Sequence, residues 1–221
     1  MSHDATFIPY DALNYPPEKS LEAAKEFHEM MEKRRSIREF SDRPVDRKVI
    51  EEIILAASTA PSGAHKQPWT FCAVASPEIK SKIREAAEKE EFDNYNGRMT
   101  DRWLKDLEPF GTDHIKPFLE IAPWLIVVFK RSYEMVDGQK VNNYYSNESV
   151  GLATGMLLTA IHQAGLCSLT HTPSPMNFLA KVLHRPVNEK AFLLIPVGYP
   201  TDDIQVPDLG RKGLDEAAVF Y

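Results

Sequence analysis

APWLIVVFK, residues 122–130, is a nearly unbroken apolar run, rich in branched side chains and bounded by proline and lysine. Such a run reads as a strand buried on both faces, and it is far short of the roughly 18 apolar residues needed to cross a bilayer. Working outward, Trp69–Ala75, Leu166–Thr172 and Phe192–Val197 read as further strands, the last closed by Gly198-Tyr199-Pro200. Helical spacing separates them. Leu21, Ala24, Phe27 and Met31 form one stripe over Leu21–Lys33; Val49, Ile50, Ile53, Ile54 and Ala57 form another, with Asp46 as its N-cap. Ser76-Pro77 starts a charged helix with Ile79, Ile83 and Ala87 on one face. Glu148–Gln163 is the most apolar helix, lined with Gly151, Ala153, Gly155 and Ala160 and stopped by Gly165, and Asn177–Leu183 is a short one. The alternation places a sheet between helices, and periodicity alone leaves α/β and α+β both open.

The chain has 221 residues, the size of a single domain spanning 1–221. Two segments stand apart from the strand-and-helix pattern. Residues 1–20 carry Pro9, Pro16 and Pro17 and read as an extended arm; residues 88–116 form a polar insertion of the kind from which active-site lids are built.

With 26 basic against 32 acidic side chains, the net charge of −6 argues against binding nucleic acid or an anionic membrane. No basic-plus-apolar leader opens the sequence, so a soluble, cytoplasmic protein is expected. Cys72 and Cys167 form no CxxC and sit in apolar stretches, as small buried thiols do in a reducing compartment. The seven histidines include no HExxH, and two cysteines are too few for a typical zinc site, so no metal is expected. There is no GxSxG elbow, no phosphate-binding GxxxxGK[ST], and no GxGxxG after a strand.

Two local features point to a ligand. RRSIR, residues 34–38, sets Arg34, Arg35 and Arg38 around Ser36, a grouping that suits a phosphate because guanidinium forks match its oxygens. Taken alone it is equally a solvated basic turn at a helix end. Ala60-Pro61-Ser62-Gly63-Ala64-His65 can offer backbone N–H groups and a hydroxyl to a planar ligand, or be an ordinary turn.

In order along the chain, RRSIR, TAPSGAHKQPW, APWLIVVFK, YYSNESVGLATGMLL and PVGYP resemble the nitroreductase-like flavoprotein superfamily. Within it the sequence is most similar to the iodotyrosine deiodinase family, whose lid bears a glutamate, a tyrosine and a lysine; Glu91, Tyr95 and Lys116 stand at those places. The likeness runs from about Leu21 to the C-terminus and lacks the membrane anchor of vertebrate members. It implies an α+β, three-layer fold with a central mixed or antiparallel sheet, in a homodimer that exchanges terminal arms. It also implies FMN, held by Arg34, Arg35, Ser36 and Arg38, by Pro61, Ser62 and Gly63, by Thr170, His171 and Thr172, and by Arg211. Thr172 carries the catalytic role, its hydroxyl donating to flavin N5. His171 departs from the threonine expected there in vertebrate members.

A free amino acid is a zwitterion, which calls for a carboxylate, a cation and an orienting hydroxyl, the set that Glu91, Lys116 and Tyr95 supply. The backbone N–H of Ala64 is expected to hold the phenolate. The implied reaction is reductive dehalogenation of 3-iodo- and 3,5-diiodo-L-tyrosine, with bromo- and chlorotyrosine as further substrates and a separate reductase as electron source. The alternatives are NAD(P)H-dependent reduction of nitroaromatics or quinones, and a non-catalytic flavin or halotyrosine binding protein.

Overall fold

The computed structural model describes residues 5–221, which divide into two compact units, residues 5–34 and 35–221. In the first, residues 5–16 have no regular structure and α1 spans Pro17–Glu32. The helix begins ahead of the expected Leu21 because Pro17 sits in its first turn, where a missing N–H costs nothing. Of the expected arm, residues 17–20 are helical rather than extended, and its first four residues lie outside the described ones.

The second unit is built on a four-stranded sheet in the order β1 (Trp69–Val74), β2 (Trp124–Arg131), β6 (Glu189–Gly198), β5 (Cys167–Ser168), with every neighbouring pair antiparallel. β2 is central and buried on both faces: Ile126 and Val128 point to one side, Leu125, Val127 and Phe129 to the other. On the first side they meet α2 (Arg47–Ser58) and α6 (Ser146–Gln163) through Ile50, Ile53, Ala153 and Leu157. On the second they meet α3 (Pro77–Asp93), α5 (Phe118–Ile121) and α7 (Asn177–Val182) through Ile83, Ala87, Leu119 and Leu179. This is a three-layer α+β sandwich. Each fully buried aliphatic side chain in it contributes about 1.5–3 kcal/mol of transfer free energy.

The helix ends follow their signals. Asp46 accepts from the N–H of Lys48 at 2.8 Å and Ser76 from that of Ile79 at 3.4 Å. Gly165, at φ +73°, closes α6 in the left-handed conformation that glycine favours.

Three elements differ from the sequence reading. Tyr133–Val136 and Gln139–Asn142 form an additional hairpin, β3–β4, turned at Asp137 (φ 49°) and Gly138 (φ 76°). The strand expected over Leu166–Thr172 is reduced to two residues plus an isolated bridge from His171 to Leu194. And α3 does not dissolve in the acidic stretch after Ala87; it continues to Asp93, then passes through a π-turn (Asn94–Arg98) into α4 (Asp101–Leu107). The polar insertion is therefore mostly helical. Two anchors hold its base: the buried Lys80 donates to the carbonyls of Glu120 and Ala122, both at 2.8 Å, and the part-exposed Arg84 bridges Glu88 and Glu120 at 2.7 and 2.8 Å.

Gly198 closes β6 against Pro123, and a Cβ there would lie 2.5 Å from the proline Cδ. Because the ring cannot swing away, Gly198→Ala should lower stability by about 1–3 kcal/mol, the usual cost of overpacking, read as a fall in the urea midpoint.

Candidate active site

The segment after Arg35 runs beside β5: Ser36 bridges Ser168, and the Ile37 N–H donates to the Ser168 carbonyl at 3.0 Å. The chain beyond β5 is pinned by reciprocal bonds between His171 and Leu194 at 2.9 and 3.0 Å. Burial alternates along it, with Leu169, His171 and Pro173 inside and Thr170 and Thr172 outside, as extended backbone requires. Arg38 and Thr170–Thr172 thereby share one cavity of 140 Å³ with Glu91, Tyr95 and Lys116. Met99, Trp103, Leu107 and Phe118 form its apolar wall.

The extension of α3 carries Glu91 inward. Its carboxylate is 3.6 Å from the Lys116 ammonium, and the two residues are only 7% and 3% exposed. Burial pushes the Glu91 carboxyl above the usual range and the Lys116 ammonium below it, and in each the partner's charge opposes that push. Each is the other's counter-ion. Lys116 is further fixed by donating to Thr112 Oγ1 at 3.0 Å and to the Asp113 carbonyl, while its backbone N–H reaches Glu88 at 2.7 Å. Tyr95 donates its phenol hydrogen to the Thr112 carbonyl at 3.1 Å, and Asn94 donates to the Ser174 carbonyl at 3.0 Å, joining the insertion to the chain just past Thr172.

The opposite wall is open to a ligand. Arg38 is half-buried with no carboxylate partner among the described residues; its guanidinium faces the Phe110 ring at 5.3 Å, and burial draws its pKa down. The hydroxyls of Thr170 and Thr172 have no protein partner among the described residues and lie on the exposed side. An unpaired guanidinium beside two free hydroxyls is an acceptor-seeking surface of the kind a flavin's oxygens and ring nitrogens would satisfy.

Other expected site residues lie elsewhere. Arg34 belongs to the first unit, ending the turn after α1 with its N–H on the Met31 carbonyl at 3.1 Å. Arg35 donates to the Pro207 carbonyl, and Arg211 is exposed in the irregular segment after β6. Pro61, Ser62, Gly63 and Ala64 are not on the cavity. Ser62 Oγ accepts from the Gln67 N–H at 2.9 Å, Gly63 donates to Ser149 Oγ at 3.3 Å at the start of α6, and Ala64 has φ 48°. Gly63 is needed here because a Cβ would stand 2.9 Å from the Tyr144 carbonyl oxygen. The apolar wall was missed by the sequence reading as part of the site; its signal is Met99, Trp103 and Leu107 recurring at four-residue spacing inside a polar insertion. No cluster of potential metal ligands occurs among the described residues, nor is any of their helices long and apolar enough to cross a membrane.

This arrangement of an antiparallel sandwich, a helical insertion over a cavity and a basic strand edge is that of a flavoprotein reductase scaffold. Residues 31–199 match the model of the nitroreductase family, and the chain belongs to that family. Among its relatives, the iodotyrosine deiodinase of Haliscomenobacter hydrossis is 60% identical over 221 residues, covering 100% of this chain and 99% of that one. Iodotyrosine deiodinase 1 of Mus musculus is 46% identical over 214 residues, covering 96% and 75%. A solved structure of oxidized iodotyrosine deiodinase bound to FMN and 3-iodo-L-tyrosine superimposes with a TM-score of 0.78 at 30% identity, covering 88% of this chain and 98% of that one.

His171 lies under this site with its pKa pushed down to about 3, first by burial and then by the Lys116 and Arg38 charges. The unfolded chain takes up this proton near pH 6.5 and the native state does not, so stability falls as pH drops from 6.5 towards 3. His171→Phe should flatten that fall, measured by comparing urea midpoints at pH 7 and pH 4; an unchanged difference would contradict the assignment.

Proposed function

We propose that the chain catalyses FMN-dependent reductive dehalogenation of halotyrosines, releasing L-tyrosine and iodide from 3-iodo-L-tyrosine and 3,5-diiodo-L-tyrosine. The observation that carries this reading is the buried Glu91–Lys116 pair, with Tyr95 beside it, above the strand end that bears Thr172. The internal pair matches the two charges of a free amino acid. Glu91 takes the ammonium, Lys116 the carboxylate, and Tyr95 turns from the Thr112 carbonyl to orient the same carboxylate. The apolar wall of Met99, Trp103 and Leu107 packs on the halogenated ring and keeps water from it.

Each turnover replaces one C–I bond by C–H, consuming two electrons and one proton and releasing iodide. Bound FMN supplies the electrons. Arg38, Arg35, Arg34 and Ser36 would hold its phosphate and polar edge with Arg211, and Thr170 and Thr172 its ring, with the Thr172 hydroxyl as hydrogen-bond donor at N5. The fit rests on the unpaired Arg38 and the two free threonine hydroxyls.

The site is completed by a second copy of the chain, which brings Pro61–Gly63 to the cofactor and the Ala64 N–H to the phenolate. Supporting this, Leu152 and Met156 on α6, with Tyr144 and Tyr145 at its start, leave an exposed apolar stripe continuous with the Gly63 loop. Arms exchanged between the copies and electrons from a separate reductase complete the proposal. The two free cysteines suit a cytoplasmic setting.

Anaerobic reduction of the FMN-loaded protein with 3-iodo-L-tyrosine should yield tyrosine, quantified by chromatography; bromo- and chlorotyrosine should react, and 3-fluorotyrosine should bind without turnover because the C–F bond is the strongest of the set. Glu91→Gln and Lys116→Ala should each lower kcat/KM about 100-fold or more, the scale of stranding a buried charge, with FMN affinity little changed. Absence of tyrosine from every halotyrosine, or rapid NADPH oxidation by a nitroarene that ignores Glu91→Gln, would contradict the proposal.

A further inference from the structure

The His171 side chain is nine-tenths buried, yet its Nε2 is shielded from solvent with no hydrogen-bond partner. Buried polar atoms are almost always paired, and His171 is one of the residues that line the cavity, so its orphan nitrogen calls for a partner brought by what fills that cavity. Its direction narrows the partner. Thr170 and Thr172 point outward and His171 inward, so the imidazole lies on the opposite side of the strand end from the two hydroxyls assigned to the flavin. There it meets Phe118 edge to face, with ring centroids 5.6 Å apart, and Phe118 is two residues from Lys116 at the start of α5.

We propose that His171 is a specificity-determining contact of the substrate, its neutral imidazole donating from Nε2 to the carboxylate that Lys116 draws in. This rests on the halotyrosine reading above and moves His171 from the flavin to the amino-acid end of the substrate. Two features choose an anion as the partner. Arg38 and Lys116 both bear on the ring, which disfavours a cation at Nε2 and attracts negative charge into the same space. A carboxylate also offers two oxygens with about four acceptor positions, more than Lys116 and Tyr95 occupy. With the hydrogen on Nε2, the ring supplies a third donor that needs no protonation and no rearrangement of the strand. Threonine at this place has a shorter side chain, so chains with histidine and threonine here should differ in how strongly they demand the carboxylate.

The test compares 3-iodo-L-tyrosine with 3-iodotyramine, which keeps the ring and ammonium but lacks the carboxylate, by flavin-fluorescence titration of the full-length FMN-loaded protein. His171→Phe keeps the ring against Phe118 without the nitrogen; His171→Gln restores a donor. His171→Phe should weaken 3-iodo-L-tyrosine about tenfold and leave 3-iodotyramine within about twofold, the change expected for one hydrogen bond to a charged group. His171→Gln should recover most of the loss, and FMN affinity and the flavin absorption spectrum should stay as in the parent. Equal weakening of both ligands, or of neither, would overturn the inference, and weakened FMN binding with a shifted flavin spectrum would return His171 to the flavin. If the parent protein binds 3-iodo-L-tyrosine and only the variant pattern fails, the halotyrosine reading stands and this inference falls; if the parent binds no halotyrosine, both fall.

Discussion

A carboxylate and an ammonium that are both more than nine-tenths buried can coexist only as a pair, and the 3.6 Å contact between Glu91 and Lys116 makes the helical insertion depend on that condition. Removing either partner strands the other in a region that already resists its charge. The pair is also the reason a polar helix can end in the interior, since α3 carries Glu91 to Lys116 rather than to solvent. Around it, Glu88 ties the Lys116 backbone to Arg84, and Asn94 ties the π-turn to Ser174. The insertion is thereby fastened at its base and near the segment after β5 that bears Thr172.

An internal pair of this kind is a template for a zwitterion. A ligand with both charges exchanges one buried contact for two and leaves nothing uncompensated; a ligand with one charge must leave Glu91 or Lys116 alone. On the proposed reading, selectivity for amino acids over amines or acids would come as much from the penalty on the wrong ligand as from contacts with the right one. The sheet's part is positional: β2 and β6, buried on both faces, hold the Leu194 backbone that pins His171 between the two threonines.

The sandwich was legible in the sequence because its signals are hydrophobic. APWLIVVFK reads as a doubly buried strand and is one, and the α2 stripe faces the core at Ile50, Ile53 and Ala57, with Val49 exposed; of the small residues read along α6, Ala153 is buried while Gly151 and Gly155 are exposed. The lid was not legible in the same way. Glu91 reads as part of a solvated acidic face, since a glutamate buried by one lysine leaves no apolar pattern, and the helical stripe stops at its last apolar anchor, Ala87, although the helix runs on to Asp93. The β3–β4 hairpin hid for the opposite reason: its Asp137-Gly138 turn is a strong signal, but its short strands are mostly exposed and lack clear alternation. The segment after Leu166 was over-read, because the backbone leaves the sheet ladder after Ser168 to present Thr170 and Thr172. Roles for Glu91, Tyr95 and Lys116 came from resemblance; their convergence on one cavity is structural.

The central claim, that Glu91 and Lys116 act as one unit, is tested most directly by a double-mutant cycle on 3-iodo-L-tyrosine affinity using Glu91→Gln, Lys116→Gln and the double variant. The account predicts strong non-additivity: each single substitution strands a buried charge, so the double variant loses much less affinity than the two single losses combined. Losses that add to within about 0.3–0.5 kcal/mol would contradict it, because independent charges need no pairing.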